Sequence, residues 1–434
     1  MSGRSSLAQW LAFIERQHPQ SIAMGLERVR EVAGRMGLKR PAKKVVVVGG
    51  TNGKGSTVAF IEAVARAAGW SVGAYTSPHL LAYNERVRID GRDATDDALV
   101  AGFEAVEAAR GETSLTYFEY GTLCALWLFQ RSRPDLAILE VGLGGRLDAV
   151  NIVDPDVAVI TTVDLDHQDW LGNDREAIGQ EKAGIARAWK PLVLGEDDPP
   201  ASVLRHAYAV GASAVRANCD FFFERMPLAS DEEPRWRWRE VGWEVELPEP
   251  RLAAPAQLRN AATAIAALRA LHRPVTKSAI AQGIATAHLP GRMQRFEREG
   301  VAIVLDVAHN PQAARELAQW LQANPIPGRT FAVFAALGDK DLHGVVAALT
   351  GQVDGWWLAG IDDAGPRGLA VADFAQRLAG TAAAEGRGYA TAREALPAAL
   401  AQARRGDRIL VFGSFHTVAA ALQVLQVQDQ QRAM

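Results

Sequence analysis

Apolar positions near the start of the chain recur at helical spacing. Leu7, Trp10, Leu11 and Ile14 share one face and Leu26, Val29, Val32 and Met36 another, with His18-Pro19 between them, so two amphipathic helices should precede the first strand. The period then changes. Val45-Val46-Val47-Val48 is a continuous β-branched run, as expected of a strand buried on both faces. Ala-rich helical spacing follows to Ala68, Gly69 ends it, and residues 72–75 read as the next strand. Apolar runs at 136–141, 157–163 and 191–194 alternate with helical stretches. That alternation predicts a mostly parallel, helix-covered sheet, whose ligands gather at the carboxyl ends of its strands.

A second set of runs opens after a break. Residues 287–300 lose the pattern at Pro290-Gly291, and apolar runs at 301–306, 330–335 and 408–412 then recur between helical segments. Two α/β domains are expected: residues 1–289, a linker at 290–299, and residues 300–434 with a tail after Val427 that should fray. Residues 234–250 behave differently. Trp236, Trp238 and Trp243 interleave with Arg235, Arg237 and Arg239, which could suit base stacking beside phosphates. Period-two alternation around Gly242 fits a surface hairpin with one buried face better.

Composition narrows the class. A chain of 434 residues, 48% hydrophobic and 22% charged, can bury two or three ordinary cores. The net charge of -3 gives no electrostatic footprint for nucleic acid or an anionic membrane. Only Cys124 and Cys219 occur, which excludes a disulfide framework and Cys-based zinc spacing. The N-terminus leads into an amphipathic helix rather than an apolar signal, and no run of about 20 apolar residues appears. A cytoplasmic protein is expected, and a monomer, since no heptad or apolar seam is visible.

Candidate chemistry concentrates where strands end. The valine run pours into Gly49-Gly50-Thr51-Asn52-Gly53-Lys54-Gly55-Ser56-Thr57 and then a helix. Glycines let backbone N–H groups approach phosphates, Lys54 can reach the terminal phosphates, and Ser56 or Thr57 can offer a hydroxyl to Mg2+. A nucleoside triphosphate is the leading ligand, although Gly55 separates Lys54 from the hydroxyl residue, unlike the usual G-x-x-x-x-G-K-[ST]. Glu140, at the end of the 136–139 run and before Gly142-Leu143-Gly144-Gly145, suits a hard cation bridging to phosphates. After the 157–163 run come Asp164-Leu165-Asp166-His167; from chemistry alone His167 is as good a cap as a metal ligand. Lys182 in Gln180-Glu181-Lys182-Ala183-Gly184 reads by default as an exposed helix lysine. Tyr117-Phe118 would ordinarily be core packing.

Taken together the motifs resemble those of the bacterial dihydrofolate synthase/folylpolyglutamate synthases, a branch of the Mur ligases, along essentially the whole chain. They are Gly50-Thr51-Asn52-Gly53-Lys54-Gly55-Ser56, Thr76-Ser77-Pro78-His79-Leu80, Ser114-Leu115-Thr116-Tyr117-Phe118-Glu119-Tyr120, residues 140–151, Leu165-Asp166-His167, Glu181-Lys182-Ala183-Gly184-Ile185, Leu305-Asp306-Val307-Ala308-His309-Asn310-Pro311 and Gly413-Ser414-Phe415-His416-Thr417. The resemblance implies an N-terminal P-loop ATPase-type domain with a mostly parallel sheet and a smaller Rossmann-like C-terminal α/β domain. It implies that ATP meets Asn52, Gly53, Lys54, Gly55, Ser56, Thr57, Asn260, Arg292 and Asp306. Two Mg2+ ions would be held by Ser56, Ser77, Glu140 and His167, with K+ a further candidate cation, and Lys182 would be a carbamate. Pterin would lie against Met24, Gly25, Leu26, Thr116, Tyr117, Phe118, Glu119, Leu147, Asp148 and Ala149; Met24 stands where Leu is common and Ala23 where an acidic residue can occur. L-Glutamate would meet His309, Ser414 and His416, for which capping of the following helix by His309-Asn310-Pro311 and an ordinary loop histidine at His416 are the bland alternatives.

The implied reaction joins L-glutamate to 7,8-dihydropteroate and to reduced folates through an acyl phosphate. Lys54, Arg292 and the metal ions would spread phosphoryl charge, and His309 is the candidate proton acceptor. Three other readings compete. A folylpolyglutamate synthase alone would share every nucleotide motif. A peptidoglycan Mur ligase should carry an N-terminal domain of about 80 to 100 residues before the loop, where 48 residues precede Gly49. A non-catalytic ATP- and pterin-binding protein should tolerate loss of Glu140, His167 or Lys182, all of which are present.

Overall fold

The computed structural model describes residues 6–18, 23–227, 233–362 and 364–433, apart from the side chains of 428 and 430–433. Two compact units result, residues 1–251 with 257–288, and residues 252–256 with 289–434.

The first unit is built on eight strands: β1 Lys44–Gly49, β2 Val72–Tyr75, β3 Val87–Ile89, β4 Arg92–Asp93, β5 Leu136–Glu140, β6 Val157–Ile160, β7 Pro191–Leu194 and β8 Ser213–Arg216, in the order β4-β3-β2-β5-β1-β6-β7-β8. Strands β2, β5, β1, β6, β7 and β8 run parallel, and β3 and β4 add an antiparallel edge. Strand β1 is central, which explains its unbroken valines: Val45, Val46, Val47 and Val48 are all buried, each stabilising the core by roughly 2 kcal/mol. The helix Lys54–Ala67 follows β1 and buries Val58, Phe60, Ile61 and Val64. A Cβ on Gly283 would come within 2.4 Å of the Val64 Cα, so glycine lets the helix Lys277–Thr286 press onto the back of the phosphate-loop helix.

A three-stranded antiparallel sheet, β9 Phe221–Arg225, β10 Arg235–Glu240 and β11 Trp243–Pro248, contains the Trp/Arg segment. It is the expected hairpin with one buried face. Trp236 and Trp238 are fully buried and their indole N–H groups donate to the Pro248 carbonyl at 2.8 Å and the Ala262 carbonyl at 3.0 Å. Base stacking is thereby ruled out for these two rings.

The second unit holds six strands: β12 Gln294–Arg298, β13 Val301–Asp306, β14 Thr330–Phe334, β15 Gly355–Ala359, β16 Arg387–Tyr389 and β17 Arg408–Phe412, in the order β12-β13-β17-β14-β15-β16. Four expectations need correction. Residues 290–299 are not a linker, because Gln294–Arg298 pairs antiparallel with β13 and places Phe296 opposite Ile303. The apolar run at 157–163 forms a strand only to Ile160, since Thr161 and Thr162 turn to serve the phosphate loop. Lys182 is buried, as described below. The tail after Val427 is helical to Ala433. His18 is described, but its partner in the expected break, Pro19, lies outside the described residues.

Candidate active site

In the first unit the strand ends gather the residues expected to meet phosphate. Gly50 has a φ of +141° and a Cβ there would lie 1.9 Å from the Thr161 Oγ1, so the loop can pass β6 only with glycine. Thr51 N–H donates to the Thr162 carbonyl at 2.7 Å, Asn52 N–H to the Thr162 hydroxyl at 3.1 Å, and the Thr161 hydroxyl to the Asn52 carbonyl at 2.6 Å. Gly53, with a φ of +87°, begins the helix, and its missing Cβ leaves room for the Asn260 Oδ1, which would stand 2.5 Å away. Asn260 is therefore beside the loop although two hundred residues separate them. Lys54 curls over its own loop, donating to the Gly50 carbonyl at 3.0 Å and the Thr51 carbonyl at 3.1 Å. Ser56 and Thr57 are buried in the first helical turn, and among the described residues the Thr57 Oγ1 has no hydrogen-bond partner.

Glu140 ends β5, directly beside Val48 of β1, and is 4% exposed. Ser77 N–H donates to its Oε2 at 3.1 Å, which brings the Ser77 loop to the same strand end. His167 adopts a left-handed φ of 52° and heads the short helix Gln168–Leu171, with its Nε2 3.9 Å from Asp166. Among the described residues no three His, Cys, Asp or Glu side chains cluster as a protein-only metal cage. A carboxylate and hydroxyl oxygens near a phosphate loop nonetheless fit Mg2+, which keeps waters and borrows phosphate oxygens rather than demanding a cage. The buried Ser56 hydroxyl and the unpartnered Thr57 oxygen supply donors of that kind.

Lys182, in the helix Arg175–Ala183, is 4% exposed. Burial, with the nearby Lys54 charge second, pushes its pKa down to about 7, against the opposing pull of Asp166, Asp148 and Glu196. An amine at that value is substantially neutral near physiological pH, the form able to react with CO2.

The three segments expected to form a pterin wall converge. Gly25 N–H reaches the Leu147 carbonyl at 3.5 Å, a Cβ on Gly144 would lie 3.6 Å from the Met24 Cε, and one on Gly142 would lie 2.7 Å from the Phe118 ring. Leu26 and Ala149 are buried. Tyr117 and Phe118 open the helix Tyr117–Ser132, capped by Thr116, whose hydroxyl accepts from Glu119 N–H at 3.2 Å. Their rings are half-buried; Tyr117 meets Tyr83 edge-on at 5.7 Å and Phe118 meets Tyr75 at 5.8 Å.

Asp148 and Glu119, the two carboxylates among the expected pterin contacts, are already engaged. Asp148 accepts N–H groups from Gly142 at 3.0 Å, Leu143 at 2.9 Å and Val150 at 3.0 Å, which leaves about one of its roughly four lone-pair sites. Its burial still pushes its pKa up to about 6. Glu119 takes Arg28 at 2.8 Å and Thr116 N–H at 2.7 Å. Arg28 had no motif to announce it. Arg175 and Glu196 were also missed: Glu196 accepts Val163 N–H at 2.9 Å and Arg175 donates to the Val163 carbonyl at 2.9 Å, so the pair fixes the start of the loop that carries His167.

In the second unit, Asp306 ends β13 beside Phe412 of β17. It accepts Met293 N–H at 2.9 Å and Ala308 N–H at 2.8 Å, and burial raises its pKa while Arg292 and His309 oppose the rise. Arg292 lies over the Phe415 ring at 5.2 Å. Capping of the helix Pro311–Ala323 falls to Asn310, not His309, because Asn310 Oδ1 accepts Ala313 N–H at 3.0 Å. The His309 Nδ1 is 2.9 Å from the Val307 carbonyl, an acceptor, so a neutral ring keeps its proton at that nitrogen. Ser414 accepts Thr417 N–H at 3.2 Å at the start of the helix Phe415–Ala433, where His416 also sits, half-buried.

Residues 48–268 match the Mur ligase middle domain and residues 291–415 the Mur ligase glutamate ligase domain. The dihydrofolate synthase/folylpolyglutamate synthase of Escherichia coli is 46% identical over 98% of this chain and 96% of its own length. An Escherichia coli FolC structure in complex with DHPP and ADP superposes with a TM-score of 0.91 at 45% identity, covering 99% of this chain and 100% of that one. A bifunctional folylpolyglutamate synthase/dihydrofolate synthase solved with Mn, AMPPNP and L-glutamate gives a TM-score of 0.89 at 44% identity, covering 98% of this chain and 99% of that one.

Proposed function

Because this chain belongs to the Mur ligases, and within them to the dihydrofolate synthase/folylpolyglutamate synthases, we propose that it is an ATP-dependent amide-forming ligase with two acceptors. It joins L-glutamate to 7,8-dihydropteroate and adds further glutamates to reduced folates. One observation carries the reading. The segment from Glu140 to Asp148 joins a buried carboxylate beside the phosphate loop to the wall lined by Met24 and Phe118, so a single loop serves both a phosphate-bound cation and a flat ring.

The substrate carboxylate attacks the γ-phosphorus of ATP, ADP leaves, and the resulting acyl phosphate carries a leaving group that a free carboxylate lacks. The glutamate amine adds to the acyl carbon, and the tetrahedral intermediate expels phosphate. Lys54 and the loop N–H groups orient the phosphates and balance their charge. Ser56, Ser77, Glu140 and His167 would hold two Mg2+ ions, which supply Lewis-acid neutralisation of the phosphoryl oxygens. Lys182 as a carbamate would turn a buried cation into an anion able to support that cluster. Arg292 and Asp306 are assigned to the nucleotide, and His309, Ser414 and His416 to L-glutamate. His309, whose Nδ1 faces the Val307 carbonyl, is the group we assign to accept the amine proton. The protein is proposed to act as a cytoplasmic monomer, with K+ as an additional cation; among the described residues no helix is long and apolar enough to cross a membrane.

The acyl phosphate makes a direct test. With 18O in the carboxylate of dihydropteroate, one label should appear in the released phosphate. Unlabelled phosphate would reject carboxylate activation.

A further inference from the structure

A buried ion pair outside the phosphate loop and the cation ligands joins the two elements that carry them. Glu62 lies on the helix Lys54–Ala67, two turns beyond Lys54, and Arg88 on β3; their side chains are 8% and 15% exposed. Arg88 donates to Glu62 Oε2 from Nη2 at 2.7 Å and from Nε at 3.0 Å. Its remaining Nη1 faces the other way, donating to the Thr76 hydroxyl at 3.2 Å and the Glu85 carbonyl at 3.1 Å. One guanidinium therefore spends its planar fork on two different elements. The second is the loop that presents Ser77.

That loop is tied at several points. Thr76 N–H donates to the Arg86 carbonyl at 2.9 Å, and the Glu85 carboxylate accepts N–H groups from Leu80 at 2.7 Å, Leu81 at 2.7 Å and Ala82 at 2.8 Å. Within it, Ser77 N–H donates to Glu140 at 3.1 Å. Among these ties Arg88 is the one that reaches the phosphate-loop helix. Burial works against the Arg88 charge, and the carboxylates of Glu62, Asp93 and Glu140 more than offset it. An ion pair with 8% and 15% exposure pays a desolvation cost that hydrophobic packing would avoid, so stability alone does not account for it.

We infer that Arg88, held by Glu62, is a positioning residue that sets the Ser77 and Glu140 oxygens relative to the phosphate loop for divalent-cation binding. The inference rests on the proposed cation site, and it assigns to Arg88 no contact with substrate or metal. Residues of this kind behind metal ligands typically change affinity or activity about 10- to 100-fold when removed.

The test separates cation from nucleotide. AMPPNP affinity is measured by calorimetry in EDTA and again with saturating Mn2+, for the parent, Arg88→Gln, Arg88→Lys, Glu62→Gln and Thr76→Val. Thr76→Val removes the hydroxyl that Arg88 grips, together with its own 3.3 Å bond to the Glu85 carbonyl, and keeps side-chain volume, so it serves if Arg88→Gln fails to fold. In the parent, Mn2+ should tighten AMPPNP binding. In Arg88→Gln and Thr76→Val that tightening should shrink about 10- to 100-fold, while affinity in EDTA stays within about twofold, and Arg88→Lys should recover only part. Full Mn2+ enhancement in both variants, even with lowered melting temperatures, would reduce Arg88 to a purely structural ion pair and overturn the inference. Equal losses with and without Mn2+ would overturn it too, by moving the effect to the phosphate loop. Absence of any Mn2+ enhancement in the parent would instead reject the underlying cation site.

Discussion

Replacing Lys182 with Met should make the protein more stable in mildly acidic buffer and remove catalysis. The Lys182 pKa falls from 10.5 to about 7, burial being the main cause and Lys54 the next. A fall of that size corresponds to roughly 5 kcal/mol against the charged form. The unfolded chain keeps this amine protonated up to its ordinary value, whereas the folded chain releases the proton near pH 7. Between those values the folded state binds fewer protons, so stability rises with pH across that window. The penalty is complete below about pH 7 and absent above the ordinary value. Met carries no charge and has nearly the same reach, so the variant escapes the penalty. Its advantage should be a few kcal/mol at pH 6, after relaxation around the charge, and should fade towards pH 10.5. Urea denaturation of both proteins in CO2-free buffer at pH 6 and pH 9.5 reads this directly. A variant less stable than the parent at pH 6 would refute the reasoning, because it would mean that Asp148, Asp166 and Glu196 satisfy the ammonium rather than leave it strained. The same substitution should lower kcat about 100- to 1,000-fold, the scale of losing a preorganised electrostatic group.

Gly53→Ala places a Cβ 2.5 Å from the Asn260 Oδ1 at a φ of +87°; ATP affinity by calorimetry should fall at least about 10-fold, and Gly53→Ala/Asn260→Ala should recover only part because the backbone strain remains. Asp148→Asn turns one carboxylate oxygen into an amide donor facing backbone N–H groups; steady-state kinetics should show KM for dihydropteroate rising about 10-fold, with KM for ATP within about twofold, consistent with the 1 to 3 kcal/mol typical of an unsatisfied buried group. Since the folded Asp148 pKa is raised from 3.8 to about 6, its contribution to stability is present below the lower value and lost as pH rises through the upper one, and Asp148→Asn should flatten that window in a pH series of urea midpoints. Trp238→Ala removes a fully buried indole and its bond to Ala262; denaturant midpoints should report a loss of about 3 to 5 kcal/mol, while kcat of the folded variant at 25 °C stays within about twofold of the parent.

The legible parts of this sequence were those in which local pattern and tertiary role coincide. The valine run before Gly49 announced a strand because both of its faces are buried, and β2, β7, β13 and β17 matched their apolar runs residue for residue. The 157–163 run misled at its end: Thr161 and Thr162 have strand propensity, but their hydroxyls are recruited by the phosphate loop. Strand β12 was invisible because Pro290-Gly291 just before it reads as loop, and only pairing with β13 makes the segment regular. Lys182 looked like any helix lysine, since one residue in a short helix gives no sign of what packs over it. Arg28, Arg88, Arg175 and Glu196 escaped notice for a related reason. Their partners lie 91, 26, 21 and 33 residues away, and a single sequence carries no spacing rule for such pairs.

A ligase with two acceptors must turn over both 7,8-dihydropteroate and reduced folates. ADP release and product mass should be followed for the purified protein with ATP, Mg2+ and L-glutamate, with 7,8-dihydropteroate or a reduced folate as acceptor. ADP should form with each acceptor, one for every glutamyl residue by which the product is heavier. Turnover with the folate alone would contradict the two-acceptor reading, and binding of ATP and pterin without ADP release from either mixture would contradict the ligase itself.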